Sequence, residues 1–169
     1  MLRPAARAQG HFEEGACLAC EQWHWPINAV DKGHNRYSAL AWACCKGFER
    51  DAEALLDNKY EGRGAEVDNV ESGWTPLMCA CYWGQQEGLV RLLLARGARQ
   101  EVQGTNGKTA LHWAVIFARH KMVAVLCGAA GAAAALALRE SSGCTPLALA
   151  NFLHISACEA VLRAHGATA

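Results

Sequence analysis

Apolar residues in this chain come in paired short blocks, each pair divided by a glycine or its substitute and most often closed by a Gly-Ala step. The clearest pair runs from Leu77 to Cys81 and then through Val90-Arg-Leu-Leu-Leu-Ala95, with Gly84 between the blocks and Gly97-Ala98 after the second. Weaker second blocks stand at Ala54-Leu-Leu56, Val123-Ala-Val-Leu126 and Val161-Leu162, and further Gly-Ala steps at Gly64-Ala65, Gly131-Ala132 and Gly166-Ala167. Blocks of this length and spacing predict pairs of short helices. Small residues at Ala43-Cys44, Ala80-Cys81 and Ala114-Val115 allow a second helix to approach closely. Gly47 and Gly84 are placed to stop the first helix of a pair, because glycine takes the left-handed conformation of a helix C-cap without strain.

The first block of each pair opens on one recurring segment. Gly107-Lys-Thr-Ala-Leu-His-Trp-Ala114 has near copies in Gly73-Trp-Thr-Pro-Leu-Met-Cys-Ala80 and Gly143-Cys-Thr-Pro-Leu-Ala-Leu-Ala150, and a worn one in Tyr37-Ser-Ala-Leu-Ala-Trp-Ala43. Ser38, Thr75, Thr109 and Thr145 stand 37, 34 and 36 residues apart, the period of a helical repeat with small insertions. Each hydroxyl is a helix N-cap that accepts from an orphan N–H of the first turn. Pro76 and Pro146 follow at the first helical position, where a missing N–H costs nothing. Leu77, Leu111 and Leu147 begin the buried face.

That order of helix, turn, helix, Gly-Ala and extended loop, with its T-P-L-H-x-A signature, resembles the ankyrin repeat. The resemblance covers roughly residues 31 to 169 and implies an all-α solenoid of helix-turn-helix units with β-hairpin fingers. Its divisions are a tail and amino-terminal half-repeat cap over 1–30, a degenerate first repeat with an insertion over 31–69, and further repeats over 70–103, 104–139 and 140–169. Gly10 to Cys20 fits the second helix of the half repeat, and Trp25-Pro-Ile-Asn28 the strand of its finger. Only His112 keeps the motif's histidine, and the resemblance implies that its ring bonds to backbone between neighbouring units. Ala118 and His154 stand where a helix-stopping glycine belongs. The segment from Met122 to Leu138 reads as a helix end followed by a Gly/Ala-rich finger. No dedicated carboxyl-terminal cap is expected after Gly166, so a fraying end or a covering partner is.

Composition narrows the function classes. Formal charge is zero over 169 residues and the pI is near 7.0, which gives no bulk electrostatic case for nucleic acid or an anionic membrane. No stretch reaches the roughly 18 to 20 uninterrupted apolar residues of a membrane span. The basic N-terminus lacks the apolar core of an export signal. Nine cysteines at irregular positions fit reduced thiols packed in helices. The expected setting is intracellular, cytoplasmic first with the nucleus also open.

Three constellations are candidates for chemistry. Gly104-Thr-Asn-Gly-Lys-Thr109 carries the end of a phosphate-binding loop, but position 102 is Val where that loop needs glycine, so it reads as a finger turn and N-cap. Cys17, Cys20 and His24, with His34, have zinc-like spacings without a second Cys-x-x-Cys to complete a site; His154 and Cys158 form a similar pair. Packing is the expected role of all of these, and no metal or cofactor is assigned. No local signature places a thiolate beside a base, and no catalytic residue is assigned.

The positive signal comes from positions that, in the ankyrin family, face the concave groove. Carried over, the helix pairs are Cys45 and Lys46, Tyr82 and Trp83, Ile116 and Phe117, and Phe152 and Leu153, with finger residues Tyr37, Trp74, Lys108 and Cys144. Seven of the eight helix positions are apolar or aromatic, where a solvated face is polar. The candidate binding residues are therefore Tyr37, Lys46, Trp74, Tyr82, Trp83, Lys108, Ile116, Phe117, Phe152 and Leu153. The expected function is a non-catalytic protein-binding module taking a peptide, helix or globular surface, with no nucleic-acid, membrane or small-molecule partner. A permanent subunit of a larger assembly and a Cys/His metal or redox protein are the alternatives.

Overall fold

The computed structural model describes residues 28, 37–57, 64–70, 73–84 and 86–168. Among these, helices alternate between two rows. The inner row is α1 (Ala39–Lys46), α3 (Pro76–Trp83), α5 (Ala110–Ile116) and α8 (Pro146–Phe152). The outer row is α2 (Glu49–Leu56), α4 (Glu87–Ala95), α6 (His120–Cys127) and α9 (Ser156–Ala164), and a short extra helix, α7 (Ala132–Ala137), follows α6. Inner helices pack in series, α1 on α3, α3 on α5 and α5 on α8, and outer helices do the same. The result is an all-α solenoid.

The caps form as the sequence predicts. Ser38, Thr75, Thr109 and Thr145 each accept from the backbone N–H three residues on, and Pro76 and Pro146 begin their helices. Gly47 and Gly84 end α1 and α3 in the left-handed region. Ala118 and His154 take that same conformation, with φ of 52° and 56°, although neither is glycine. The turn geometry is thus imposed by the packing of the helix pair and not by the residue that occupies it.

One core runs the length of the stack, built at fixed helix positions. The second residue of each inner helix is Leu40, Leu77, Leu111 or Leu147, and the fifth is always alanine: Ala43, Ala80, Ala114 or Ala150. The seventh residue of each outer helix is Leu55, Leu93, Leu126 or Leu162, all fully buried. Alanine where two helices meet admits the close approach that leucine then fills from the other row.

Two expectations about the fingers are corrected. No regular β-strand forms among the described residues, an isolated bridge at Ser38 aside. The fingers are closed turns in which Gly104 N–H donates to Lys108 O (3.0 Å) and Glu140 N–H to Cys144 O (3.0 Å); pairings this short do not extend into a ladder. The finger predicted after Gly131 is instead α7, because a run of alanines has the highest helix propensity of any sequence. Successive fingers are tied to one another. Asn28 accepts from Glu66 N–H (2.7 Å) and from the Asn69 amide (3.1 Å), Asp68 accepts from Arg99 N–H and Nε (3.1 and 3.0 Å), and Gln103 donates to Arg139 O (2.8 Å).

The fourth unit departs from the other three at the positions facing away from the stack. The fourth residue of the outer helices is Ala52, Val90 or Val123, all buried, but in α9 it is Glu159. The eighth is Leu56, Leu94 or Cys127, but in α9 it is Arg163, paired with Glu159 at 2.9 Å. At the sixth position of the inner helices, Cys44, Cys81 and Val115 give way to Asn151. The outer half of this end is polar where the other units are apolar. The half-repeat assigned to residues 1–30 lies outside the described residues except for Asn28.

Candidate functional site

Residues four and eight positions after each N-cap lie one helical turn apart and share a face. That register holds Trp42 and Lys46 on α1, Cys79 and Trp83 on α3, Trp113 and Phe117 on and after α5, and Leu149 and Leu153 on and after α8. The finger residue before each cap, Tyr37, Trp74, Lys108 or Cys144, belongs to the same side of its unit.

The rings meet at the second and third units. Tyr82 stands edge-on to Trp74 (5.3 Å), Trp83 (5.3 Å), Trp113 (5.3 Å) and Phe117 (4.6 Å) between ring centroids. Trp74 stacks on Trp113 at 4.8 Å, and Trp113 lies near parallel to Phe117 at 6.3 Å. Trp74, Tyr82 and Trp113 are half-buried and pack on the core or on each other, whereas Trp83 and Phe117 remain 47% and 38% exposed. Edge-to-face and offset contacts of this kind hold rings beyond what burial alone gives, so the two exposed rings stand on a fixed base.

The remaining predicted residues surround this cluster unevenly. Lys46 is exposed with its Nζ 5.6 Å over the Trp42 ring, and Trp42 in turn meets Phe48 at 5.7 Å. Tyr37 is half-buried beside Cys45 and Cys79, and burial pushes its phenol well above the ordinary tyrosine value, so it stays neutral. Lys108 lies 5.7 Å over Trp113 and pairs with Glu140 at 2.9 Å. That hydrogen bond holds the Glu140 carboxyl below the usual range, assisted by Ser142. Ile116 is half-buried. Phe152, 76% exposed, and Leu153, 40%, stand at the end of the stack outside the ring cluster.

Sequence reasoning missed Trp113, which joins the cluster's two halves, as well as Trp42 and Phe48. A signal was present: Trp42 and Trp113 occupy the same register, one turn before Lys46 and Phe117. The resemblance directed attention to the residues next to the turn and past the turn before it.

No group of three or more His, Cys, Asp or Glu is placed to hold a metal among the described residues, and Cys17, Cys20, His24 and His34 lie outside them. Burial pushes the thiols of Cys81 to about 12 and Cys127 to about 11, and raises Cys44 and Cys158. Cys79 is raised well above the ordinary value by its hydrogen bond to Cys45 and by burial. Protonated, enclosed thiols are poor nucleophiles. Asn106 and Gly107 form a finger turn, and Thr109 caps α5, the roles read from the sequence for that segment.

A family model for ankyrin repeats, in a three-copy form, matches residues 5–103 and 85–168. The chain belongs to the ankyrin repeat family. No curated protein matches it. Ankyrin repeats generally act as protein–protein interaction modules, and no described helix is long and apolar enough to cross a membrane.

Proposed function

We propose that this ankyrin stack is a non-catalytic module that binds another protein in the groove between its inner helices and fingers. The observation carrying this reading is the row of Trp83, Phe117 and Leu153, large apolar side chains left exposed at one register of successive units, with Phe152 exposed next to Leu153. Contiguous exposed apolar surface is characteristic of interfaces. An aromatic ring buries ~150–250 Å² when covered, so at ~25 cal/mol/Å² a few such residues supply several kcal/mol before association costs. Lys46, Tyr37, Trp74, Tyr82, Lys108 and Ile116 complete the surface, with Trp113 as its floor. The free thiols among the described residues suit a reducing, intracellular compartment, the cytoplasm first.

The test is affinity capture with quantitative mass spectrometry from intracellular extract. It compares the native chain, a Trp83→Ala/Phe117→Ala variant, and an outer-row control, Arg91→Ala/Leu94→Ala, each checked for unchanged helical circular dichroism. A partner held by the native chain and the control, and lost by the inner-row variant, is the expected result. Retention by the inner-row variant and loss by the control would move the site to the outer helices. A permanent structural subunit is the second reading, favoured by the 76% exposure of Phe152 at the end of the stack; it predicts a partner that co-purifies stoichiometrically through high salt.

A further inference from the structure

Among the described residues, the charges at the aromatic face and its rim that lack a partner of opposite sign are cationic. Among the described residues at the inner register and in the finger positions before each cap, the charged ones are Lys46 and Lys108, and none is acidic. Glu140, which approaches from the fourth unit's finger, is buried and taken up by Lys108. A further cation stands at the rim. Arg119, at the start of α6, crosses the end of α3 so that its Nη2 donates to Trp83 O at 3.4 Å and its guanidinium covers Gly84. Its Nε is buried and has no hydrogen-bond partner.

Neither Lys46 nor Arg119 meets a carboxylate among the described residues. Glu49, the acid nearest Lys46 in sequence, turns its carboxylate to Gly88 of the outer helix α4, and Glu87 turns to Lys121. The two cations therefore flank exposed rings: Lys46 lies beside Trp42 and Phe48, and Arg119 beside Trp83. Lys46 ends α1, and Arg119, from the start of α6, lies over the C-terminal end of the adjacent inner helix α3.

We infer that the partner segment taken by this face is acidic, carrying apolar anchors for Trp83 and Phe117 and carboxylates spaced to meet Lys46 and Arg119. This rests on the protein-binding reading above and specifies the partner's chemistry. Lys46 lies in the first unit and Arg119 at the end of α3 in the second, whereas Phe152 and Leu153 of the fourth carry no charge, so the partner's carboxylates lie toward one end of its bound segment.

The test uses three sets of synthetic 15-residue peptides that share Leu and Phe anchors and differ in flanking residues: Asp/Glu, Lys/Arg or Ser/Gln. Binding is read by fluorescence anisotropy at low and at physiological salt. The acidic set is expected to bind about tenfold more tightly than the basic set, with a preference that shrinks as salt rises. Lys46→Glu, at an exposed position, should lower acidic-set affinity about three- to tenfold and raise basic-set affinity. Equal binding by all three sets, lost in Trp83→Ala/Phe117→Ala, would overturn the acidic partner and leave the aromatic face as the docking surface. Acidic-set binding unchanged in that double variant would overturn the docking face itself. Preference for the basic set, binding by no set, or self-association of the native chain abolished by Lys46→Glu would each overturn the inference, the last by making a second copy the occupant.

Discussion

His112 donates its Nε2–H to the carbonyl of Cys144 at 3.2 Å, joining α5 to the finger of the next unit 32 residues on, while its Nδ1 accepts from Thr109 N–H at 3.2 Å. One neutral tautomer satisfies both bonds, and the imidazole is fully buried. It is the family's structural histidine, present in one unit of four. The interface between the third and fourth units therefore depends on a link that the corresponding residues Ala41, Met78 and Ala148 do not make by side chain.

That link sets a pH dependence. Burial lowers the His112 value below the ordinary 6.5, with Glu140 and Lys108 acting on it in opposite directions. As pH falls below 6.5 the unfolded chain takes up a proton that the folded one refuses, so stability declines until pH passes the folded value and then levels. Glu140 has the opposite window: its lowered carboxyl stabilises the fold above 4.5, and that contribution is lost as pH falls through the folded value. Urea titrations at pH 7.5, 5.5 and 4 should show both losses. His112→Ala should cost about 2–4 kcal/mol at neutral pH, through two buried groups left unpaired and a cavity, and should lack the first loss while keeping the second. An unchanged slope between pH 7.5 and 5.5 in the native chain would remove this role from His112.

The left-handed residues Ala118 and His154 predict a gain in the other direction. A non-glycine residue in that region costs roughly 1–2 kcal/mol, of which glycine returns part through its freer unfolded chain. Ala118→Gly and His154→Gly should each stabilise by about 0.5–1 kcal/mol, adding in the double variant because the sites lie in separate units. Gly84→Ala should destabilise, since φ there is +63° and its Cβ would strike the Arg119 guanidinium. Thermal unfolding resolves these differences, and a fall in midpoint for Ala118→Gly would contradict the strain argument.

Thiol accessibility offers a third check. Of the described cysteines, Cys144 is the one not buried, and the raised values of Cys44, Cys79, Cys81, Cys127 and Cys158 keep those thiols protonated. Iodoacetamide at pH 8, followed by peptide mapping, should label Cys144 within minutes and these five only after urea is added. Rapid labelling of Cys81 in the native state would mean that the α1–α3 interface opens on that timescale.

What the sequence made legible, and what it did not, follows from the range of the forces involved. Caps at Ser38, Thr75, Thr109 and Thr145 and stops at Gly47 and Gly84 are local chemistry, set within a turn of the residue that makes them. Gly131 carries the sequence signal of a finger, and its left-handed turn does form, but the alanine run beyond it follows its own propensity into α7. Trp113 was missed for a different reason. Whether a ring at that register is exposed, buried or stacked depends on Trp74 and Tyr82 of the preceding unit, 39 and 31 residues away. Likewise the pairing of Lys108 with Glu140 across 32 residues has no local signature.

The end of the stack yields a prediction that separates polarity from fold. Asn151, Glu159 and Arg163 stand where the other units present Cys44, Cys81 and Val115, then Ala52, Val90 and Val123, then Leu56, Leu94 and Cys127. Replacing them together, Asn151→Val, Glu159→Val and Arg163→Leu, gives the fourth unit the outer face that its neighbours bury in the next unit. The Glu159–Arg163 pair is an exposed i,i+4 contact worth only a few tenths of a kcal/mol, so the helix itself should survive. Three further apolar side chains on a unit that already exposes Phe152 and Leu153 would enlarge its apolar surface and favour association. Sedimentation velocity should therefore show concentration-dependent association of the triple variant, with helical circular dichroism unchanged, under conditions where the native chain shows less. A triple variant no more associated than the native chain would mean that Phe152 and Leu153 already govern this end, and that the polar substitutions do not shield it.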